Sequence, residues 1–271
     1  MAKKTRRQLF GQHFLHEKRI LQKIIEAIQP EKDDLVVEIG PGKGALTFPL
    51  AARAGQVVAV EKDFSLVQTL EKNKPDNLEI IAGDILQVDL TTLIKSKKGQ
   101  VRSVKLAGNL PYHISSQILF VLLRVKNHID RAVFLFQKEV AERIVAGPGS
   151  RKYAPLSILL QNYFDCNLLF LIKPGAFSPP PEVDSACVSF SRRTEPRFFP
   201  EIEEGNFFEF LKACFRQRRK TLLRNLEGSG FNKDQIAAAL QKLHLETKVR
   251  AEELEPEKLL AIYHLLKSTG L

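Results

Sequence analysis

Asn109-Leu110-Pro111-Tyr112 follows an apolar run at residues 104–107 and sets an amide acceptor, a rigid turn and an aromatic plate within four positions. The exocyclic amine of a planar base is a poor nucleophile, because its lone pair is delocalised into the ring. Two acceptors aimed at its hydrogens favour the pyramidal form and turn the lone pair toward an electrophile. The Asn109 side-chain oxygen and the Leu110 main-chain carbonyl are candidates, and Pro111 fixes the turn between strand and plate. Tyr112 can then stack on the base and attract a departing positive charge. Alone, an X-Pro turn after a strand is only a turn, with the tyrosine packed beneath it.

A second constellation gives the motif weight. Glu38-Ile39-Gly40-Pro41-Gly42-Lys43-Gly44 follows an earlier β-branched run. A strand, a glycine loop and a helix in that order let backbone approach a ligand at the carboxyl end of the strand. Glu61 lies 21 residues after Gly40, at the end of the next run, where a carboxylate can accept both hydroxyls of a ribose. Asp84, after Ile80-Ile81-Ala82-Gly83, ends the third run and can accept from an adenine amine. Singly, these are a turn glycine, a solvated strand-end charge and a helix cap; together they line one crevice. No Gly-Lys-Ser/Thr follows the loop, which excludes a P-loop, and the spacing is not that of dinucleotide binders. The E-x-G-x-G-x-G pattern with an acidic second strand end resembles the class I S-adenosylmethionine (SAM) methyltransferases.

The elements that position these residues follow from periodicity. Strand-like runs occur at 35–39, 57–60, 78–81, 104–107 and 132–136, and helical spacing at 45–54, 64–72 and 115–125. Alternation of this kind predicts βαβ units on a parallel sheet covered on both faces. Runs at 168–172 and 186–190 are joined by a Pro-rich loop with no room for a helix, and read as an antiparallel pair closing the sheet. The predicted fold is therefore α/β, Rossmann-like, with a seven-stranded methyltransferase sheet and an antiparallel last strand pair. A polar stretch at 192–196 marks a boundary, giving domains 1–195 and 196–271. Residues 207–226, 233–245 and 256–267 read as helices, so the second domain is small and all-helical.

The 271 residues carry 41 Lys and Arg against 31 Asp and Glu, a net charge of +10 that favours phosphate-rich partners. No apolar run approaches the roughly 18 residues of a membrane span, and no apolar core or cleavage site follows the basic residues 3–7, so a cytoplasmic protein is expected. Three isolated cysteines and scattered histidines supply neither a disulfide framework nor a metal site. Residues 212–224 hold six basic side chains and no acid, namely Lys212, Arg216, Arg218, Arg219, Lys220 and Arg224. The segment after residue 196 carries 13 basic against 11 acidic residues. The cluster is thus a localised stripe on one predicted helix, suited to phosphate contacts that set position and affinity. No RNP-type aromatic motif is present, so recognition would depend on RNA shape.

The motifs in order resemble the KsgA-type family of ribosomal small-subunit RNA adenine dimethyltransferases across nearly the whole chain. Gly11-Gln12-His13-Phe14-Leu15 is similar to the family's N-terminal cofactor motif, 38–44 to its glycine loop, Glu61-Lys62-Asp63 to its ribose-binding strand end and Gly83-Asp84 to its adenine-binding turn. Asn109-Leu110-Pro111-Tyr112 is similar to its catalytic motif, and residues 215–222 to its basic helix. The resemblance implies SAM, with no metal, held by His13, Leu15, Gly40, Gly42, Glu61, Asp84, Ile85 and Asn109. Residues 173–185 resemble the loop whose aromatic residue closes over the target base, which implies a base flipped out and held between Tyr112 and Phe177. A phenylalanine in a Pro-rich loop ordinarily anchors that loop on the core. His13 departs from many members, which carry Asn there.

The resemblance further implies transfer of two methyl groups to each of two adjacent adenines near the 3′ end of small-subunit rRNA, in ribosome biogenesis. The partner would be a pre-ribosomal small-subunit particle and the enzyme a monomer. A large-subunit rRNA adenine methyltransferase of the antibiotic-resistance type shares most of these motifs, and an assembly or transcription factor retaining the fold is the non-enzymatic alternative.

Overall fold

The computed structural model describes residues 13–97, 99 and 101–268. Gly11 and Gln12 of the N-terminal motif and the basic residues 3–7 lie outside the described residues. The strands are β1 (Phe14–Leu15), β2 (Asp34–Ile39), β3 (Gln56–Glu61), β4 (Leu78–Ala82), β5 (Ser103–Asn109), β6 (Arg131–Gln137), β7 (Phe164–Ile172), β8 (Phe177–Ser178) and β9 (Ser185–Arg192). Seven of them form one sheet in the order β4-β3-β2-β5-β6-β9-β7. Pairs from β4 through β6 are parallel, β6 and β9 run antiparallel, and β7 closes the edge antiparallel to β9.

Burial explains why these strands were legible. Every residue of β2 is buried, as are the central five of β5 and β6, so both faces demand apolar side chains. The edge strand β7 instead alternates, exposing Asp165, Asn167, Leu169 and Leu171. Five helices flank the parallel strands in sequence: α1 (Lys18–Ile28), α2 (Thr47–Ala51), α3 (Phe64–Glu71), α4 (Leu90–Lys97) and α5 (Ser115–Arg124). Helix α1 seats Ile24, Ile25 and Ile28 against β5, β6 and β9. Helix α2 is shorter than the predicted 45–54, because turns occupy the positions from Gly42 to Leu46 before it begins.

The chain reverses its direction of sheet growth between β2 and β5, and open α/β sheets bind ligands at the carboxyl ends of strands beside such a switch. Glu38 of β2 lies level with Ala107 of β5, two residues short of Gly40 and of Asn109 on their respective strands. Gly108 permits the close approach: a Cβ there would meet the Ile39 carbonyl oxygen at 2.6 Å. A separate ribbon pairs β1 with β8, Leu15 opposite Phe177 and Phe14 opposite Ser178. Strands of two residues leave no period to detect, and the sequence did not reveal this ribbon.

The chain forms two compact units, Met1–Ala141 with Asp165–Arg192, and Glu142–Phe164 with Arg193–Leu271. The remaining helices are α6 (Lys138–Ile144), α7 (Pro155–Tyr163), α8 (Glu204–Cys214), α9 (Leu222–Glu227), α10 (Lys233–Lys242) and α11 (Pro256–Lys267). The second unit is built on aromatic packing, with Phe207 between Phe199 at 4.9 Å and Tyr263 at 5.5 Å between ring centroids.

The single basic helix expected over 207–226 is not formed. Helix α8 stops at Cys214, and residues 215–221 are a loop leading into α9, where Thr221 caps the Arg224 amide. Asn225 secures the break. Its buried side chain donates to the Cys214 carbonyl at 2.8 Å and to the Gln217 carbonyl at 3.1 Å, and accepts from the Gln217 amide at 3.1 Å. These bonds replace the helical partners the loop would otherwise have. Arg216, Arg218, Arg219 and Lys220 therefore project from a loop, not from one helical face.

Candidate active site

The carboxyl ends of β2, β3 and β5 and the ribbon strand β1 enclose a cavity of about 400 Å³, walled among others by His13, Leu15, Glu38, Gly40, Gly42, Glu61 and residues Asn109 to Tyr112. A smaller lobe of about 70 Å³ adjoins it, walled by Val60, Lys62, Asp84, Ile85 and His113, and the two share Gly40, Glu61 and Pro111. Nearly all the residues expected to meet the cofactor or the base thus come together in one two-lobed space.

Glu61 sits where the lobes meet and is almost fully buried. Its Oε2 accepts from the Gly42 amide at 3.0 Å and its Oε1 from the Asp63 amide at 2.9 Å. Burial pushes its pKa up, against the pull of those amide donors. The two bonds orient the carboxylate and leave a further lone pair on each oxygen for hydroxyl donors. Gly42 itself has φ +60°, and a Cβ there would lie 3.0 Å from the Phe14 ring, so both its conformation and its neighbour demand glycine.

Asp84 closes the small lobe. Its Oδ2 pairs with Lys62 at 2.8 Å and its Oδ1 accepts from the Leu86 amide at 3.0 Å. The Lys62 bond holds the carboxyl below its ordinary range.

Asn109 ends β5 with its side-chain Nδ2 donating to the His13 carbonyl at 2.7 Å. That bond fixes which end of the amide is the donor and leaves Oδ1 as acceptor in the cavity wall. Pro111 opens a short turn, accepting from the Ile114 amide at 3.1 Å, and the chain runs on into α5. The Tyr112 hydroxyl bonds Ser185 Oγ at 2.6 Å, and its ring stacks on His13 with centroids 5.5 Å apart and planes inclined 27°. Burial raises the Tyr112 pKa.

One residue expected in the site is elsewhere. Phe177 is 2% exposed, within the apolar core beside Leu15, Ile172 and Ala176, and does not line the cavity. The alternation of β8 decides this: Ser178 faces the cavity, so Phe177 faces the core. The anchoring role usual for a phenylalanine in a Pro-rich loop is the one observed. The basic cluster of residues 212–224 belongs to the second unit.

Other wall residues have no site role in the sequence analysis, His16 being expected there only as a surface residue. Lys18, Lys43 and His16 line the large lobe, and Lys43 lies 5.0 Å above the Phe14 ring. Glu38 is fully buried in the wall with its Oε2 unpartnered among the described residues. Burial pushes its carboxyl up to about 7, with the neighbouring Thr47 hydroxyl opposing and the Glu61 charge reinforcing. Its place at the head of the glycine motif was the available signal. Ser185 was visible only as a residue of the Pro-rich loop.

Comparison with known proteins identifies the family. The family model described as ribosomal RNA adenine dimethylase matches residues 3–268. Ribosomal RNA small subunit methyltransferase A of Myxococcus xanthus (strain DK1622) is 39% identical over 259 residues, covering 95% of this chain and 89% of the relative. The protein of the same name from Streptococcus pneumoniae (strain ATCC BAA-255 / R6) is 40% identical over 273 residues, covering 98% and 94%. Among solved structures, a dimethyladenosine transferase from Plasmodium falciparum superposes with a TM-score of 0.76 at 25% identity, over 96% of this chain and 99% of that one. The 23S rRNA methyltransferase ErmE shares the fold, with a TM-score of 0.69 at 24% identity over 94% and 99%. With the match running almost end to end and the expected clamp and strand-end residues gathered around one cavity, the chain belongs to the ribosomal RNA adenine dimethylase family.

Proposed function

We propose that this rRNA adenine dimethyltransferase transfers two methyl groups from SAM to the exocyclic amine of each of two adjacent adenines near the 3′ end of small-subunit rRNA. Further parts of the reading are a pre-ribosomal small-subunit particle as substrate, a cytoplasmic setting and a monomeric enzyme. The observation that carries the proposal is the Asn109 amide, oriented by the His13 carbonyl at the edge of a cavity that also contains Glu61. The curated relatives bearing the small-subunit name favour that rRNA over the large-subunit one.

The cavity suits the cofactor by its donor set. Glu61 would accept the ribose hydroxyls with the lone pairs its amide donors leave. Asp84 and Ile85 would take the adenine in the small lobe, with His13, Leu15, Gly40 and Gly42 along the remainder. The unpartnered Glu38 carboxylate would face the cationic methionine end. When bound, SAM supplies an electrophilic methyl group on sulfur and leaves as S-adenosyl-L-homocysteine.

Catalysis by the chain's own groups is then positional. Asn109 Oδ1 and the Leu110 carbonyl accept the amine hydrogens and aim its lone pair, with Pro111 fixing their separation. Tyr112 supports the base by stacking. The methylated nitrogen becomes acidic and sheds its proton to water, so no strong base is required. Contacts to RNA phosphates fall to the helical domain.

A time course on small-subunit particles lacking the modification tests the proposal, with mono- and dimethyladenine resolved by mass spectrometry. Conversion of two adjacent adenines is expected. Methylation confined to large-subunit rRNA would reject it.

A further inference from the structure

We propose that His13 is a positioning residue for Tyr112, its imidazole forming a fixed layer behind the ring on which the substrate base stacks. The inference rests on the reading that Tyr112 receives the base. The resemblance sets Phe177 across the flipped base from Tyr112, but that ring is buried in the core. The ring found against Tyr112 is His13, at 5.5 Å and 27°.

His13 is held from three sides. Its Nδ1 lies 2.8 Å from the Pro179 carbonyl oxygen. A carbonyl only accepts, so Nδ1 is the donor in this contact. Its own carbonyl accepts from Asn109 Nδ2 at 2.7 Å. The residues that follow are fixed by the pairing of Phe14 with Ser178 and by the His16 amide on the Ala176 carbonyl at 3.0 Å.

Tyr112 is correspondingly constrained, its hydroxyl by Ser185 at 2.6 Å and one face by the imidazole. A plate held at its edge and on one face presents the other face without first being ordered, which lowers the cost of stacking. One residue thereby sets both halves of the substrate clamp: through its backbone the orientation of the Asn109 amide, through its ring the plane of Tyr112. An asparagine at position 13 would keep the backbone contact and lose the layer.

The test is a double-mutant cycle in the full-length enzyme, with kcat and KM for SAM measured separately on small-subunit particles. His13→Asn, which keeps the backbone contact and places an amide in the cofactor wall, should lower kcat about three- to tenfold, a larger change than any in KM for SAM. His13→Phe, which restores a ring but not the Pro179 bond, should recover most of that loss. In a Tyr112→Ala background, His13→Asn should have almost no further effect. A raised KM for SAM with unchanged kcat would overturn the inference in favour of a cofactor ligand. Additive effects in the cycle, or faster turnover without the ring, would overturn it as well. Those outcomes leave the base-stacking role of Tyr112 intact if Tyr112→Ala alone is slow. An unimpaired Tyr112→Ala enzyme would refute that role and this inference with it.

Discussion

The Gly42 amide donates to Glu61 Oε2 at 3.0 Å across 19 residues of chain, so the glycine loop and the strand-end carboxylate form one rigid unit. Conformation of the loop and orientation of the carboxylate cannot vary independently. Glu61→Gln keeps the shape but turns one acceptor into a donor facing an amide N–H. Loss of a charge-assisted acceptor of this kind costs about 1.5–3 kcal/mol. Affinity for SAM, measured by titration calorimetry, should fall about 10- to 100-fold, and unchanged affinity would remove Glu61 from the cofactor site.

Substitution of Asn109 should separate binding from chemistry. Asn109→Ala removes the Oδ1 acceptor and leaves the His13 carbonyl without its donor. Groups aligned on a reacting centre are worth about 10²–10³ in rate, so single-turnover methylation should fall by about that factor. RNA affinity, which the proposed reading assigns to phosphate contacts of the second unit, should stay within about twofold. Undiminished methylation would refute the amine-clamp role.

The parts of this architecture that were legible are those where one physical demand acts locally. Strands β2, β3, β5 and β6 announce themselves because burial on both faces forces apolar runs, the edge strand β4 shows through Leu78, Ile80 and Ile81 although only Leu78 is buried, and the ends differ from the prediction by only one or two residues. The placement of Gly40, Glu61, Asp84 and Asn109 around one cavity is legible because their spacing repeats with the βα unit. What stayed hidden depends on partners distant in the chain. The Asn109–His13 bond joins positions 96 residues apart. Helix α8 stops at Cys214, whose carbonyl is taken by Asn225, 11 residues further on. Phe177 faces the core because a two-residue ribbon fixes its alternation.

Glu38 gives the site a pH dependence of definite sign. Its folded pKa, about 7, lies above the ordinary 4.5, so the folded protein retains a proton that the unfolded chain releases. The stabilisation from this group is complete below about 4.5 and is lost as pH rises through about 7. Cofactor binding should respond in the opposite sense, because only the ionised carboxylate pairs with an ammonium. SAM affinity should therefore rise through about pH 7 in the native enzyme. Glu38→Gln should flatten both profiles, as read by thermal melts and by calorimetric titration. A native-like SAM profile in that variant would show that another group titrates.

The basic loop predicts a division of labour among its charges. Lys212 pairs with Glu209 at 2.6 Å, Arg218 with Glu252 at 3.3 Å and Arg224 with Glu227 at 3.4 Å, while Arg216 donates to the Gly228 carbonyl. Arg219 and Lys220 carry no ion pair among the described residues and stand exposed on the loop that Asn225 secures. A cation already paired must exchange a carboxylate for a phosphate, whereas an unpaired one releases only counterions. Reversing Arg219 and Lys220 to glutamate should thus weaken binding of small-subunit particles and lower the slope of log affinity against log salt by about 0.7–0.9 for each phosphate that is no longer neutralised. Arg218→Ala, which also frees Glu252, should change that slope less. Binding measured across a salt series decides between them: equal slopes for the double reversal and the native enzyme would place the RNA-binding surface off this loop.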